Sequence, residues 1–114
     1  MITQGSIPLS GLRLAENQTR VSAHNTANAS TDAFSRQRAR GIEGFRGGVR
    51  TAIDTVDLTA NERRIADILP GSQNNVNQVV ETVNRISAQR SFGANVNVIR
   101  AQDQMTRGFL DILA

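Results

Sequence analysis

The stretch Asn75–Leu113, NVNQVVETVNRISAQRSFGANVNVIRAQDQMTRGFLDIL, decides the fold, because it is the longest run that can form one continuous element and no proline interrupts it. Val76, Val80, Val83, Ser87, Ala94, Val98, Ala101, Met105 and Ile112 recur at steps of three and four or their sums, which puts them on one stripe of an α-helix. The residues between them are mostly Asn, Gln, Arg, Thr and Asp, as expected of a helix with only one apolar side. Such a helix would be roughly 60 Å long, more than a compact domain of this size can cover, so it needs a partner along its length. The stripe is also poor in large residues. Small or polar side chains at Ser87, Arg90, Gly93, Ala94 and Gly108 let backbones approach closely, but each buries little area at about 25 cal/mol per Å². Several neighbours together must supply what one cannot.

Composition points the same way. A chain of 114 residues makes one domain at most, and four Phe with no Trp or Tyr give little of the large-area burial that aromatic rings provide. Stability that depends on assembly is the expectation. The net charge is +3 and all thirteen basic residues are Arg, so the extreme isoelectric point reflects missing Lys, Tyr and Cys buffering more than a large basic excess. The absence of Cys excludes disulfides and thiolate chemistry. The N-terminal MITQGSIPLSGLRL has neither a basic leading region nor a sustained apolar run, so it does not read as a cleavable secretory signal, and no window approaches a membrane span.

Working outward, Ser6 is the expected N-cap of a first helix with Pro8 in its first turn. Ile7, Leu12, Ala15, Thr19, Ser22, Thr26 and Ala29 follow helical spacing, with Leu9, Leu14 and Val21 off that stripe. The helix is expected to end between Asn28 and Thr31, where Asn can take a left-handed helix-stop conformation. Four glycines between Gly41 and Gly48 oppose a helix in the next stretch. Val49–Leu58 is β-branched enough for a strand that pairs with Arg38–Phe45 across Gly47 and Gly48. Asn61–Leu69 reads as a short helical turn stopped by Pro70-Gly71, and Ser72 or Asn75 caps the long helix, Asn75 with Gln78 forming a capping box. The two striped segments lie at opposite ends of the chain and can lie side by side.

Two motifs stand at those ends. Asn25, Ala27, Asn28, Thr31 and Phe34 follow a pattern that resembles the N-terminal signature of the bacterial flagellar axial proteins, the rod and hook family. Asn75, Val76, Asn77 and Glu81, then Ala88, Arg90, Phe92, Ala94 and Asn95, resemble the C-terminal signature of basal-body rod proteins, especially the proximal rod type. Gly47-Gly48-Val49-Arg50 is similar to the strand start that follows the N-terminal motif. The matches occur in the right order and cover about two-thirds of the chain, and the ordered pair is more specific than either motif alone. Family members usually carry Pro-Gly where Asp32-Ala33 stands, often Tyr where Phe92 stands, and a longer middle region.

The resemblance implies a structural subunit, not an enzyme, with no cofactor or metal. It implies export through the flagellar type III apparatus and helical assembly with copies of itself and neighbouring rod proteins in the basal body, without membrane insertion. The expected fold is mainly α: an elongated, coiled-coil-like antiparallel pair of N- and C-terminal helices with a short irregular or β arm, divided 1–31, 32–72 and 73–114. Asn25 and Asn28 are ordinary solvated helix-end residues by default; under the resemblance their amides bond backbone in the turn and in the long helix. Arg90 either snorkels or pairs with a neighbour. Glu81 is by default a first-turn acid favoured by the helix dipole. Val83 and Ile86 are the mid-helix packing positions.

Other functions have thinner support. GIEGFRGGVR, with Arg46 and Arg50, has the Arg, Phe and Gly composition of RNA-binding segments, but the alternation of Arg36, Arg38 and Arg40 is more simply a solvated strand edge. A small helical adaptor of fixed oligomeric state is a third reading. His24 is the sole histidine and reads as a helix-surface residue, and Asp54, Asp57 and Glu62 read as solvent-facing acids.

Overall fold

A computed structural model describes residues 5–69 and 74–114 and has principal extents of 74 × 26 × 16 Å. Its elements are α1 (Ser6–Ala27), β1 (Gln37–Glu43), β2 (Val49–Thr55), α2 (Ala60–Ile68) and α3 (Gln78–Leu113). The described residues are mostly helical, with one two-stranded antiparallel sheet and a long C-terminal helix.

Ser6 is the first helical residue and not the cap. Gly5 occupies the cap position and has no side chain to make a capping bond, while its carbonyl accepts from the Leu9 N–H and starts the ladder one residue earlier than expected. Pro8 falls in the first turn, where its missing N–H costs nothing. The helix stops at Ala27, within a residue of the expected place, but Asn28 has φ −100° and is not left-handed. Its amide Nδ2 donates back to the His24 carbonyl at 2.9 Å instead. The left-handed residue is Ala33, at φ 58°. A Cβ in that region costs about 1–2 kcal/mol that glycine avoids, partly offset by glycine's larger unfolded-state entropy. Ala33→Gly is therefore expected to stabilise the chain by about 0.5–1 kcal/mol in chemical denaturation. A loss of stability would show that the turn does not need this conformation.

The hairpin forms where expected, with shorter strands. Gln37 pairs with Thr55 and Glu43 with Val49, and the turn takes the five residues 44–48. Gly47 and Gly48 adopt φ +80° and +77°, and the Gly44 N–H donates to the Gly48 carbonyl at 3.0 Å. The strands end at Glu43 and Thr55 because the loop consumes Gly44 and Phe45 and the ladder runs out one bond further on, where the Val56 N–H donates to Arg36 O.

The hairpin lies against α1. Leu14 Cδ2 sits 2.9 Å from where a Cβ on Gly41 would be, so only glycine fits there without the neighbours moving. Asn17 donates to Thr51 Oγ1 at 3.3 Å, and Ser10 Oγ accepts from the Val49 N–H at 2.9 Å. Helix α1 thus has neighbours on two sides, which explains why Val21, off the expected stripe, is buried and Leu14 is half-buried. These two residues stand seven apart and share a side.

Helix α3 starts later than expected. Asn77 is its cap, accepting from the N–H groups of Val79 and Val80, so Asn75 and Gln78 do not form a capping box. Ser72, the other expected cap, and the expected stop Pro70-Gly71 lie outside the described residues. A capping box does occur on α2, between Thr59 and Glu62. Along α3 the buried or half-buried positions are Glu81, Arg85, Ala88, Asn95, Val96, Ile99 and Gln102, with Glu81 and Ala88 fully buried. The expected apolar stripe sits roughly a third of a turn away. On it Val83 remains 59% exposed, Met105 57% and Ile112 81%. The side facing α1 is selected by close approach at Ala88 and hydrogen bonding at Glu81, and not by apolarity.

Candidate functional site: an asparagine junction

The densest buried chemistry lies where the end of α1, the base of the hairpin and the first turn of α3 meet. Asn25 and Glu81 are 0% and 1% exposed. Asn25 Nδ2 donates to the Gln37 carbonyl at 2.8 Å and to Glu81 Oε1 at 3.0 Å, while its Oδ1 accepts from the Gln37 N–H at 2.8 Å. The amide thereby satisfies both backbone groups of one strand residue, as a further strand would, and ties that strand to α3. Ser22 adds a bond from its hydroxyl to the Glu81 carbonyl at 2.8 Å.

Asn75 does for the base of the hairpin what Asn25 does for its edge. Its Oδ1 accepts from the Arg36 N–H and its Nδ2 donates to the Val56 carbonyl, both at 2.7 Å, so the amide bridges the two strands beyond their ladder. Asn74 Nδ2 donates to the carbonyls of Asn28 at 2.7 Å and Thr31 at 3.1 Å, closing the turn after α1 against the approach to α3. The Thr31 hydroxyl donates to Asn28 Oδ1 at 3.3 Å, and Phe34 meets His24 edge-on with ring centroids 5.4 Å apart. Among the described residues no buried side-chain nitrogen or oxygen lacks a partner. A fully satisfied network of this kind fixes geometry, whereas a half-satisfied one would destabilise it.

The structure thus brings together Asn25, Asn28, Thr31, Phe34, Asn75 and Glu81, with Val76 half-buried beside them and Asn77 as the cap. Glu81 is a buried acceptor, not the solvated first-turn acid of the default reading. Asn25 is no solvated cap either, and its link to the long helix runs through the Glu81 carboxylate instead of backbone. Asn28 does behave as a local helix-end residue. Ala27, Val83, Ile86, Arg90 and Ala94 are exposed and lie outside the junction. Further along α3, Phe92 borders a groove against α1, and Asn95 bonds the Ser91 carbonyl at 2.8 Å and lies beside Gly11. Asn74 and Ser10 carry junction or packing bonds at positions that no motif marks, and Ser22, expected only as a stripe position, carries another. The repeated Asn at 74, 75 and 77 was the available signal.

Of the outlying acids, Asp54 is bound by Arg40 Nε at 2.7 Å. Glu62 is exposed but held below the ordinary carboxylate range, first by the Thr59 backbone N–H, then by the Thr59 hydroxyl, with Arg36 adding a smaller attraction. Among the described residues no group of three His, Cys, Asp or Glu side chains could hold a metal, and no helix is long and apolar enough to cross a membrane.

This arrangement defines an architectural chain: its buried polar groups are spent on holding two helices and a hairpin together. Residues 72–110 match the family model described as flagellar basal body rod FlgEFG protein C-terminal, which supports a flagellar basal-body rod protein. That family is a structural component of the rod and not an enzyme family, and the match covers 39 of the 114 residues of this chain. No curated protein matches the chain.

Proposed function

We propose that the chain is a rod subunit that assembles helically through its terminal helices, with α1 and α3 acting as an elongated, coiled-coil-like antiparallel unit and the hairpin as its arm. Contacts between the helices run in opposite chain directions, Ser22 and Asn25 meeting Glu81 while Gly11 lies beside Asn95, and these support that reading. The observation that carries the assembly step is the apolar row left uncovered on α3: Val79, Val83, Ile86, Val98 and Met105 are 46–73% exposed in an isolated chain. So much exposed apolar surface along one long helix marks an interaction face. Other copies of this chain and adjacent rod proteins are the partners that fill it, and Arg90 on the outer side pairs with a group of a neighbour. Delivery is by the flagellar export apparatus.

Val83→Asp or Ile86→Asp would place a charge on that face without touching the junction. The expected result is that the variant is exported at normal levels and fails to enter the rod, scored by fractionating secreted protein and purified basal bodies. Normal incorporation of both variants would remove the packing role assigned to this face.

A further inference from the structure

Helix α2 meets the described molecule at its first turn, where Glu62 lines a hollow with Arg36, Asn75 and Val80. Among the described residues none of its Cα atoms lies within 8 Å of another helix or strand, yet Ile65 and Ile68 are 52% and 77% exposed on one side of it. A nine-residue helix is marginal in water even with the Thr59–Glu62 capping box, so its apolar side needs a surface to rest on. Such a surface exists elsewhere in the chain. Ala15, Thr19 and Ala23 of α1 and Gln89 and Phe92 of α3 line a groove of about 430 Å³, with Glu16 and Arg20 on its rim.

We propose that α2 of one copy seats in the α1–α3 groove of the next, an inference that rests on the assembling-subunit reading above. The charges select a second copy as occupant. Arg64 and Asp67 flank Ile68 on one side of α2, three residues apart, and Glu16 and Arg20 are spaced by four on α1. Laid parallel, the two helices set Arg64 against Glu16 and Asp67 against Arg20 while Ile65 and Ile68 enter the groove. The Glu16–Arg20 pair within one copy is 2.9 Å long, with side chains 62% and 72% exposed, so exchanging it for contacts between copies costs little. Ridge and groove are different surfaces of the same chain, so the contact is head-to-tail, the kind of contact from which an open helical rod is built.

The chain has no cysteine, which makes the test clean. Full-length Ile68→Cys chain is mixed with full-length Ala23→Cys chain carrying a mass tag, association is followed by sedimentation, and the mixture is oxidised. The expected product is a disulfide-linked heterodimer of the two chains. Reversing the rim charges with Glu16→Arg and Arg20→Glu should weaken association by roughly two- to five-fold per pair, and Arg64→Glu with Asp67→Arg in the partner should restore it. Association without the heterodimer, or charge reversal without effect or rescue, overturns the groove contact and leaves the assembly reading intact. A Leu113→Cys chain linking to Ala23→Cys in place of Ile68→Cys would give the groove to the end of α3 and also overturn it. A chain that stays monomeric at every concentration, with no link, defeats the groove contact and self-assembly together.

Discussion

Asn25→Ala is expected to lower the stability of the chain by about 3 kcal/mol, because each buried group left unpaired costs about 1–3 kcal/mol. The substitution strands the N–H and carbonyl of Gln37 and removes the donor to the buried Glu81 carboxylate. Chemical denaturation followed by helical circular dichroism reads the loss. Asn25→Asp separates hydrogen bonding from packing. It keeps the shape but turns a carboxylate oxygen toward the Gln37 carbonyl and the Glu81 carboxylate, so it should be at least as damaging as Ala. A mere cavity effect would spare it. Asn28→Ala is the internal control, since its amide bonds only the His24 carbonyl and the Thr31 hydroxyl near the surface, and it should cost under about 1 kcal/mol. Equal losses at Asn25 and Asn28 would mean that the junction is not the fixed point of the fold.

The contrast between these two asparagines shows what the sequence could and could not disclose. Both sit in one motif near a helix end, and local chemistry alone makes both of them caps. What separates them is a partner 56 residues away in the chain, Glu81, whose burial leaves no trace in any periodicity. The same holds at the start of α3. Asn74, Asn75 and Asn77 can each cap a helix, and tertiary contacts assign the cap to Asn77 while turning Asn74 and Asn75 toward the turn and the hairpin. The hairpin was legible to within a few residues because Gly47 and Gly48 announce their own backbone geometry, and the end of α1 was legible from its run of Asn, Ser and Thr. The long helix was legible as an element and misread in its facing. Counting apolar residues finds the face that wants covering, which in an assembling subunit is not the face its own chain covers.

Ala88 and Ala94 turn that last point into a measurement. Ala94 lies on the apolar stripe and is exposed, whereas Ala88 lies off it and is 1% exposed, as buried as Ala15 of α1. Leu at position 88 would force three extra heavy atoms into a fully buried position, and overpacking of this kind costs about 1–3 kcal/mol. Leu at position 94 would meet only solvent in a single copy, so Ala94→Leu should change stability by less than about 0.5 kcal/mol. Under assembly the ranking reverses in kind: Ala94→Leu perturbs packing between copies on an intact subunit, and Ala88→Leu perturbs the subunit itself. Denaturation of the dilute chain and incorporation into rods, measured on the same two variants, separate the two faces. Were Ala94→Leu the more destabilising in dilute solution, the stripe would be the inner face after all, and α3 would have to be rotated by about a third of a turn against α1.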